Sequence, residues 1–430
     1  MSAGKRLRAV ARWLVLGSVV GVMCGAASAV FLSLLDSATI FREGHTRMVY
    51  ALPLAGLVLG ALYQRFGSAT LAGNDLVIDT LHEAGPRLPL RMVPMVLLGT
   101  VWTHLFGGSA GREGTAVQMG ASLSDCVAHR LQLSADLRRQ LLTSGIAGGF
   151  ASVFGTPIAG AVFGLELGVQ GRVEYRALVP ALAASVVGDL TTRALGIEHT
   201  LYPAVAAVEL TPGLTLKWLL FAAAVAAVTS VYIELTAFLK RCGRKWVPGL
   251  PSRLFVGGLL VVALWKLVGT SDYLGLGVPT IVRAFHDPYL PVYAFALKLL
   301  FTAVTLGAGF IGGEVTPLFF VGAALGSVLA RWLDIPLALG AGVGLAAVFA
   351  TAANTPLSLS IMAVELLGAS LLPHVLVVAA LAYVLAGPRG IYGRQRVIDL
   401  KGGPRLATPT PLRDLSTTRD ARPPAERRTQ

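Results

Sequence analysis

Two glutamates set in glycine-rich breaks of an otherwise apolar chain are the residues with the most chemistry to offer. The first lies in Gly107-Gly108-Ser109-Ala110-Gly111-Arg112-Glu113-Gly114-Thr115, and the second in Ile311-Gly312-Gly313-Glu314-Val315-Thr316-Pro317. Glycines let the chain turn sharply and bring backbone N–H groups close to a ligand. The first turn of a following helix has unpaired N–H donors and a partial positive charge, so it attracts anions. A carboxylate at such a place can occupy the anion position itself; protonated, it loses that attraction and can swing away. Glu113 thus has the chemistry of a gate that trades a proton against an anion, and an ionisable side chain inside a membrane is a functional hypothesis by default. A purely capping glutamate is the plainer reading.

At the second break Pro317 suits an early helical position, with Thr316 as the expected N-cap. Glu314 has three roles open to it: capping the helix, hydrogen-bonding Thr316, or handling protons. A third break, Leu71-Ala72-Gly73-Asn74-Asp75-Leu76, offers the amide donors of Asn74, although Gly-Asn is above all a turn dipeptide. Near the other end, Tyr392 could face a pore with its phenol or serve as an interfacial aromatic.

The two glutamate motifs are copies. Gly108-x-x-Gly111-x-Glu113-x-Thr115 recurs displaced by 201 as Gly309-x-x-Gly312-x-Glu314-x-Thr316. Likewise Gly155-Thr156-Pro157 leads to Glu166, and Asn354-Thr355-Pro356 leads to Glu365, a shift of 199. Two motifs in one order at nearly one offset indicate an internal repeat, and transporters built from two halves bind substrate where their broken helices meet.

The elements that hold these motifs must lie in a bilayer. Only 14% of the 430 residues are charged, against 54% hydrophobic, with a mean hydropathy of +0.69. An average soluble domain is roughly 25% charged. Apolar stretches recur at Trp13–Leu35, Val49–Tyr63, Val93–Phe106, Leu178–Leu190, Leu214–Phe238, Leu254–Val268, Val292–Phe310, Leu337–Ala350 and Leu371–Leu385. Several are short of the roughly 20 residues needed to cross a bilayer, which predicts tilted or broken helices packed on protein. The fold class expected is an all-α polytopic membrane protein. Its divisions are a basic N-terminus over 1–12, a transport domain over 13–395 with halves of about 13–200 and 210–395, and a disordered tail over 396–430, rich in Pro, Arg, Thr and Asp.

The net charge of +13 does not point to nucleic acid, because the basic residues crowd the N-terminus, the Lys240–Lys245 loop and the tail after Arg389. The excess of Lys and Arg in cytoplasmic loops then puts both termini inside. The first apolar stretch is too long for a cleavable signal. Cys24, Cys126 and Cys242 have neither disulfide nor metal spacing. His82-Glu83 begins a zinc motif, but Pro86 stands where its second histidine belongs. Neither metal nor cofactor is expected. Gly107-x-Ser109-x-Gly111 fits a nucleophile elbow with His104 nearby, yet the repeat turns Ser109 into Phe310 while keeping Glu and Thr, so a hydrolase is disfavoured.

These motifs resemble the chloride channel (CLC) family. Gly111-Arg112-Glu113-Gly114-Thr115 is similar to its G-[KR]-E-G-P motif, Gly312–Pro317 to G-x-F-x-P, Gly73-Asn74 to G-S-G-I-P, and Gly145–Glu166 to a further family stretch. The resemblance covers roughly residues 10–395. It implies a CLC-type fold of two inverted repeats with many tilted and broken helices, a homodimer with one anion pathway per subunit, and Glu113 as the external gating glutamate. Asn74 stands where chloride-selective relatives have a serine, Thr115 replaces a proline, and Glu314-Val315-Thr316 replaces apolar filter residues. Those departures resemble the fluoride-exporting branch, which shares G-R-E-G-T and G-G-E-V-T-P. Leu167 after Glu166 breaks the paired carboxylates of proton-coupled chloride relatives.

The resemblance therefore implies a fluoride/proton antiporter of the cell inner membrane, with a chloride/proton antiporter or chloride channel as the alternative, and no enzyme activity. Glu113 is the gate and proton carrier; Asn74, Gly111, Arg112, Gly114, Thr115, Glu314, Val315, Thr316 and Tyr392 form the anion pathway. Fluoride is compact and strongly hydrated, so removing its water demands replacement donors such as amides, hydroxyls or a protonated carboxyl.

Overall fold

The computed structural model describes residues 3–82, 87–401 and 403–415, and sixteen α-helices fall among them. The first eight are α1 (Ala3–Gly44), α2 (Leu52–Phe66), α3 (Asn74–His82), α4 (Met92–Leu105), α5 (Glu113–Arg130), α6 (Ala135–Phe154), α7 (Pro157–Glu166) and α8 (Leu178–Ala194). An irregular stretch over 195–211 leads to the second eight. These are α9 (Pro212–Trp246), α10 (Leu250–Val268), α11 (Val278–Arg283), α12 (Ala294–Ala308), α13 (Val315–Leu333), α14 (Leu337–Ala353), α15 (Pro356–Leu367) and α16 (Leu372–Leu385). Five helical segments are long and apolar enough to cross a membrane: Leu7–Gly44, Thr46–Phe66, α9, α10 and α13. The helix α9 begins at Pro212 behind an N-cap, Thr211 Oγ1, which accepts from Leu214 N at 3.2 Å, and it carries Arg244 and Lys245 in its last turn. Both ends thus suit the helix dipole.

The apolar windows located most of the outer helices, and the buried α14 with them, and passed over α5, α6, α7, α13 and α15, which are largely buried. They pack through small residues, which let backbones approach where lipid provides no hydrophobic drive between helices. A Cβ added to Gly322 or Gly326 on α13 would collide with the Gly344 or Gly340 carbonyl on α14. The equivalent pair in the first half, α5 and α6, meets through Gly120 and Gly145. On α5 the buried polar residues Gln118, Ser124 and Asp125 face protein, so no apolar run was required there.

The halves are joined as an inverted pair. Glu166, at the end of α7, accepts from Leu357 N at 3.2 Å and Ser358 N at 2.9 Å, in the first turn of α15. Glu365, near the end of α15, accepts from Ile158 N at 2.9 Å and Ala159 N at 2.8 Å, in the first turn of α7. Each glutamate therefore satisfies orphan helix donors of the other half, and the two helices run antiparallel. Neither the Thr-Pro motif nor the glutamate ten positions on could reveal this exchange alone.

One expectation needs correction. Residues 396–401 and 403–415 are ordered: β1 (Arg396–Asp399) and β2 (Arg405–Pro411) pair as an antiparallel hairpin. The polar composition misled because the anchor is a buried polar residue. Gln395 donates to the carbonyls of Leu167 (3.0 Å) and Ala353 (3.3 Å) and accepts from Asn354 Nδ2 at 3.0 Å. Val397 and Leu412 close a small apolar cluster over it. The tail from 416 to 430 lies outside the described residues, as do Glu83 and Pro86 of the broken zinc motif.

Candidate functional site

Three helix N-termini, those of α3, α5 and α13, converge. The two repeat loops are stitched by a backbone pair, Gly111 N to Gly313 O at 2.6 Å and Gly313 N to Gly111 O at 2.8 Å. A Cβ on Gly114 would meet Asn74 Nδ2 at 3.1 Å and Gly313 Cα at 3.2 Å, so all three breaks touch at this glycine.

Glu113 is the first residue of α5 and is fully buried. Its Oε2 accepts from Arg112 N at 3.0 Å and Thr316 N at 3.3 Å, and its Oε1 accepts from the Thr316 hydroxyl. The Arg112 guanidinium lies alongside, Nε to Oε1 at 3.9 Å. The carboxylate is thus seated on the N-terminus of the opposite half's helix, in the position where an anion would bind. A Cβ on Gly111 would lie 2.8 Å from Glu113 Oε2 and 2.9 Å from Pro317 Cδ, so this seat exists only because residue 111 has no side chain.

Thr316 sits two residues past the N-cap position expected of it. The helix α13 starts at Val315 with Glu314 as N-cap, and the Glu314 side chain makes no capping bond. Thr316 is instead a second helical residue whose N–H and O–H both point at Glu113. The Thr115 hydroxyl pairs with Thr100 at 2.6 Å, tying α5 to α4. Val315 is buried.

Two cavities flank the seat. One, of about 340 Å³, is lined by Asn74, Gln118, Lys240, Arg253, Glu314 and Tyr392 among others. Asn74 Oδ1 is buried there without a partner. Tyr392 is 5% exposed and arrives on the loop after α16, which is fixed by Ile391 N to Ala352 O (2.9 Å) and Arg394 N to Asp75 Oδ1 (3.2 Å). The other cavity, of about 500 Å³, is lined by Arg42, Arg112, Thr200 and Asp272 with neighbouring residues. Leu250, at the start of α10, lines the first, and Ser271, just past its end, lines the second. Nineteen helical residues rise about 28 Å, so the cavities open toward opposite ends of the protein. Glu113 lines neither and lies between Arg112 on one side and Gly313-Glu314 on the other.

The alternative chemistry of the first motif does not assemble. Ser109 Oγ pairs with Thr302 Oγ1 at 2.9 Å, and both His104 nitrogens face carbonyls, Thr100 O at 2.8 Å and Ala110 O at 2.9 Å. Among the described residues no cluster of His, Cys, Asp and Glu could hold a metal.

A family model described as "Voltage gated chloride channel" matches residues 55–387. The chain belongs to the voltage-gated chloride channel family. A family relative from Pseudomonas syringae pv. tomato, named "Chloride/fluoride channel protein", is 46% identical over 407 residues, spanning 90% of this chain and 87% of that one. A crystal structure of a CLC-type fluoride/proton antiporter superposes with a TM-score of 0.88 at 35% identity, covering 92% of this chain and all of the other. A slow cyanobacterial Cl⁻/H⁺ antiporter shares the family fold at a TM-score of 0.75 and 19% identity, over 87% of this chain and 94% of its own.

Sequence reasoning did not find Gln118, Lys240 or Arg253 for this family member's cavity. Gln118 is a polar residue on a helix of small residues, a signal in principle. Lys240 read as part of an ordinary charged loop, and nothing in the sequence singled out Arg253.

Proposed function

We propose that the protein is a fluoride/proton antiporter that exports fluoride from the cytoplasm in exchange for protons. The observation that carries this reading is the Glu113 carboxylate seated on the donors of α13 between two cavities. Ionised, it satisfies those donors and blocks the path. Once a proton neutralises it, its hold weakens to that of a neutral acceptor, and fluoride can take the Thr316 N–H and O–H in its place. The ion's lost hydration is replaced by the Asn74 amide and the Tyr392 phenol. Because the Glu166 carboxylate is engaged at the start of α15, the proton's route on the first-cavity side runs through Glu314. The solved fluoride/proton antiporter at 35% identity supports the choice of ion and of coupling.

The Lys240, Arg244 and Arg253 cavity is the cytoplasmic one, by the excess of basic residues on that face. Both termini are then cytoplasmic in the inner membrane, and the functional unit is a homodimer with a pathway in each subunit. Transport, with no chemical conversion, is the activity.

The test is reconstitution in liposomes with fluoride, chloride and internal pH recorded together. Fluoride efflux with opposing proton uptake, the uptake lost in Glu113→Gln, is the expected result. Chloride efflux at equal or greater rates would overturn the ion assignment and leave a chloride transporter of the same fold.

A further inference from the structure

The second cavity contains a cation that the gate mechanism does not use. Arg42, near the end of α1, is 7% exposed, and its Nε and Nη1 have no hydrogen-bond partner. Only Nη2 is engaged, with Glu43 Oε1 at 3.2 Å. Burying a guanidinium with donors unpaired is costly, so the arrangement calls for an acceptor. The loop after α10 holds the group in place. Gly275, at φ +54°, passes so close that a Cβ there would lie 3.2 Å from Arg42 Nη1. The buried Lys298 side chain fastens that loop from behind through Gly275 O at 2.7 Å and Tyr273 O at 3.1 Å.

Arg112 faces the same cavity. Its Nη2 donates to Thr200 Oγ1 at 3.2 Å and its Nε is without a hydrogen-bond partner. Three carboxylates also reach this cavity, but each is at the solvated rim. Glu43 is 61% exposed, Asp36 is exposed, and Asp272 lies 3.8 Å from Arg283. The side chains of the arginines are only 8% and 14% exposed. Charges at the rim are screened by water, whereas those in the wall are not, so the interior of the cavity is positive.

We infer that Arg42 and Arg112 form a binding site for a small inorganic anion on the far side of the Glu113 gate. An ion released past Glu113 would be received by Arg112, already beside the carboxylate, and passed to the free Nε and Nη1 of Arg42. The transport reading above supplies only the direction of traffic; the site itself stands on the unpaired donors.

The experiment uses the full-length protein in two ways. Crystals soaked in bromide are read by anomalous diffraction, and liposomes are read for the external-anion KM with whichever of fluoride or chloride the wild type carries. A bromide peak beside the Arg42 guanidinium is expected in wild type and absent in Arg42→Gln. The same variant should raise external KM roughly tenfold, as loss of a charged hydrogen-bonding partner does, with maximal rate changed little. Arg42→Lys should lie between. Glu43→Gln, which removes the competing negative charge beside the guanidinium, should lower KM, and it carries the test if Arg42→Gln fails to assemble. Bromide peaks elsewhere with none at Arg42, an unchanged KM, or a fall in maximal rate alone would overturn the site. A wild type that carries neither ion would overturn the transport reading and leave the bromide result to decide this one.

Discussion

Replacing Glu113 by Gln should tighten fluoride binding while abolishing proton exchange. Three donors converge on the carboxylate: Arg112 N, Thr316 N and Thr316 Oγ1. A hydrogen bond to a charged acceptor is worth about 1 kcal/mol more than one to a neutral group, so three such bonds hold the ion about 3 kcal/mol more firmly than an amide. That difference is roughly 100-fold in occupancy of the seat. A ligand competing with a tethered occupant has its apparent affinity reduced by the fraction of time the seat is free. Relieving the competition should therefore raise apparent fluoride affinity by up to about 100-fold. Isothermal titration of the detergent-solubilised protein measures this directly, with proton uptake into liposomes as the companion assay. If Glu113→Gln binds fluoride no more tightly, or more weakly, the carboxylate and the anion do not share donors and the gate argument fails.

Other perturbations follow from the same contacts. Gly111→Ala inserts a methyl 2.8 Å from Glu113 Oε2; overpacking of this kind costs about 1–3 kcal/mol, and fluoride flux should fall about tenfold or more with the wild-type oligomeric state kept by light scattering. Glu166→Gln and Glu365→Gln each weaken two bonds between the halves, so each should lower stability by about 1–3 kcal/mol, read as loss of transport after heating. Because the two glutamates cap opposite ends of one helix pair, the double variant should depart from additivity. Burial lowers the Lys401 ammonium to about 7, although Asn354 Oδ1 accepts from it at 2.6 Å and the Tyr383 ring lies 3.8 Å away. A detached hairpin would hold that proton up to the ordinary lysine range, so docking strengthens as pH rises above about 7 and weakens as pH falls toward it. A spin label at the exposed Thr408 should report this pH dependence and lose it in Lys401→Met.

Much of the site was legible in the residues because its chemistry is local. Glycine before glutamate, at the start of a helix, in a chain with few charges, already specifies an anion position that a carboxylate could fill. The repeat offset of 201 added that two such positions exist and that they are related. Composition and apolar runs fixed the membrane class and the outer helices, since lipid imposes its demand on each residue that faces it.

The tertiary structure decided which donors face which acceptors. Glu113 belongs to the first half and its donors on Thr316 to the second, 203 positions away, and no local rule pairs them. The same holds for Glu166 with Ser358 and Glu365 with Ala159. Thr115 and Thr316 stand at matching places in the repeat, yet one hydroxyl binds a neighbouring helix and the other binds the gate. The tail's hairpin and the unpartnered Nε and Nη1 of Arg42 were equally invisible, because each depends on a buried surface made by several distant segments. Spacing determines what a residue is able to do; burial and partners, which are properties of the folded chain, determine whether it does so.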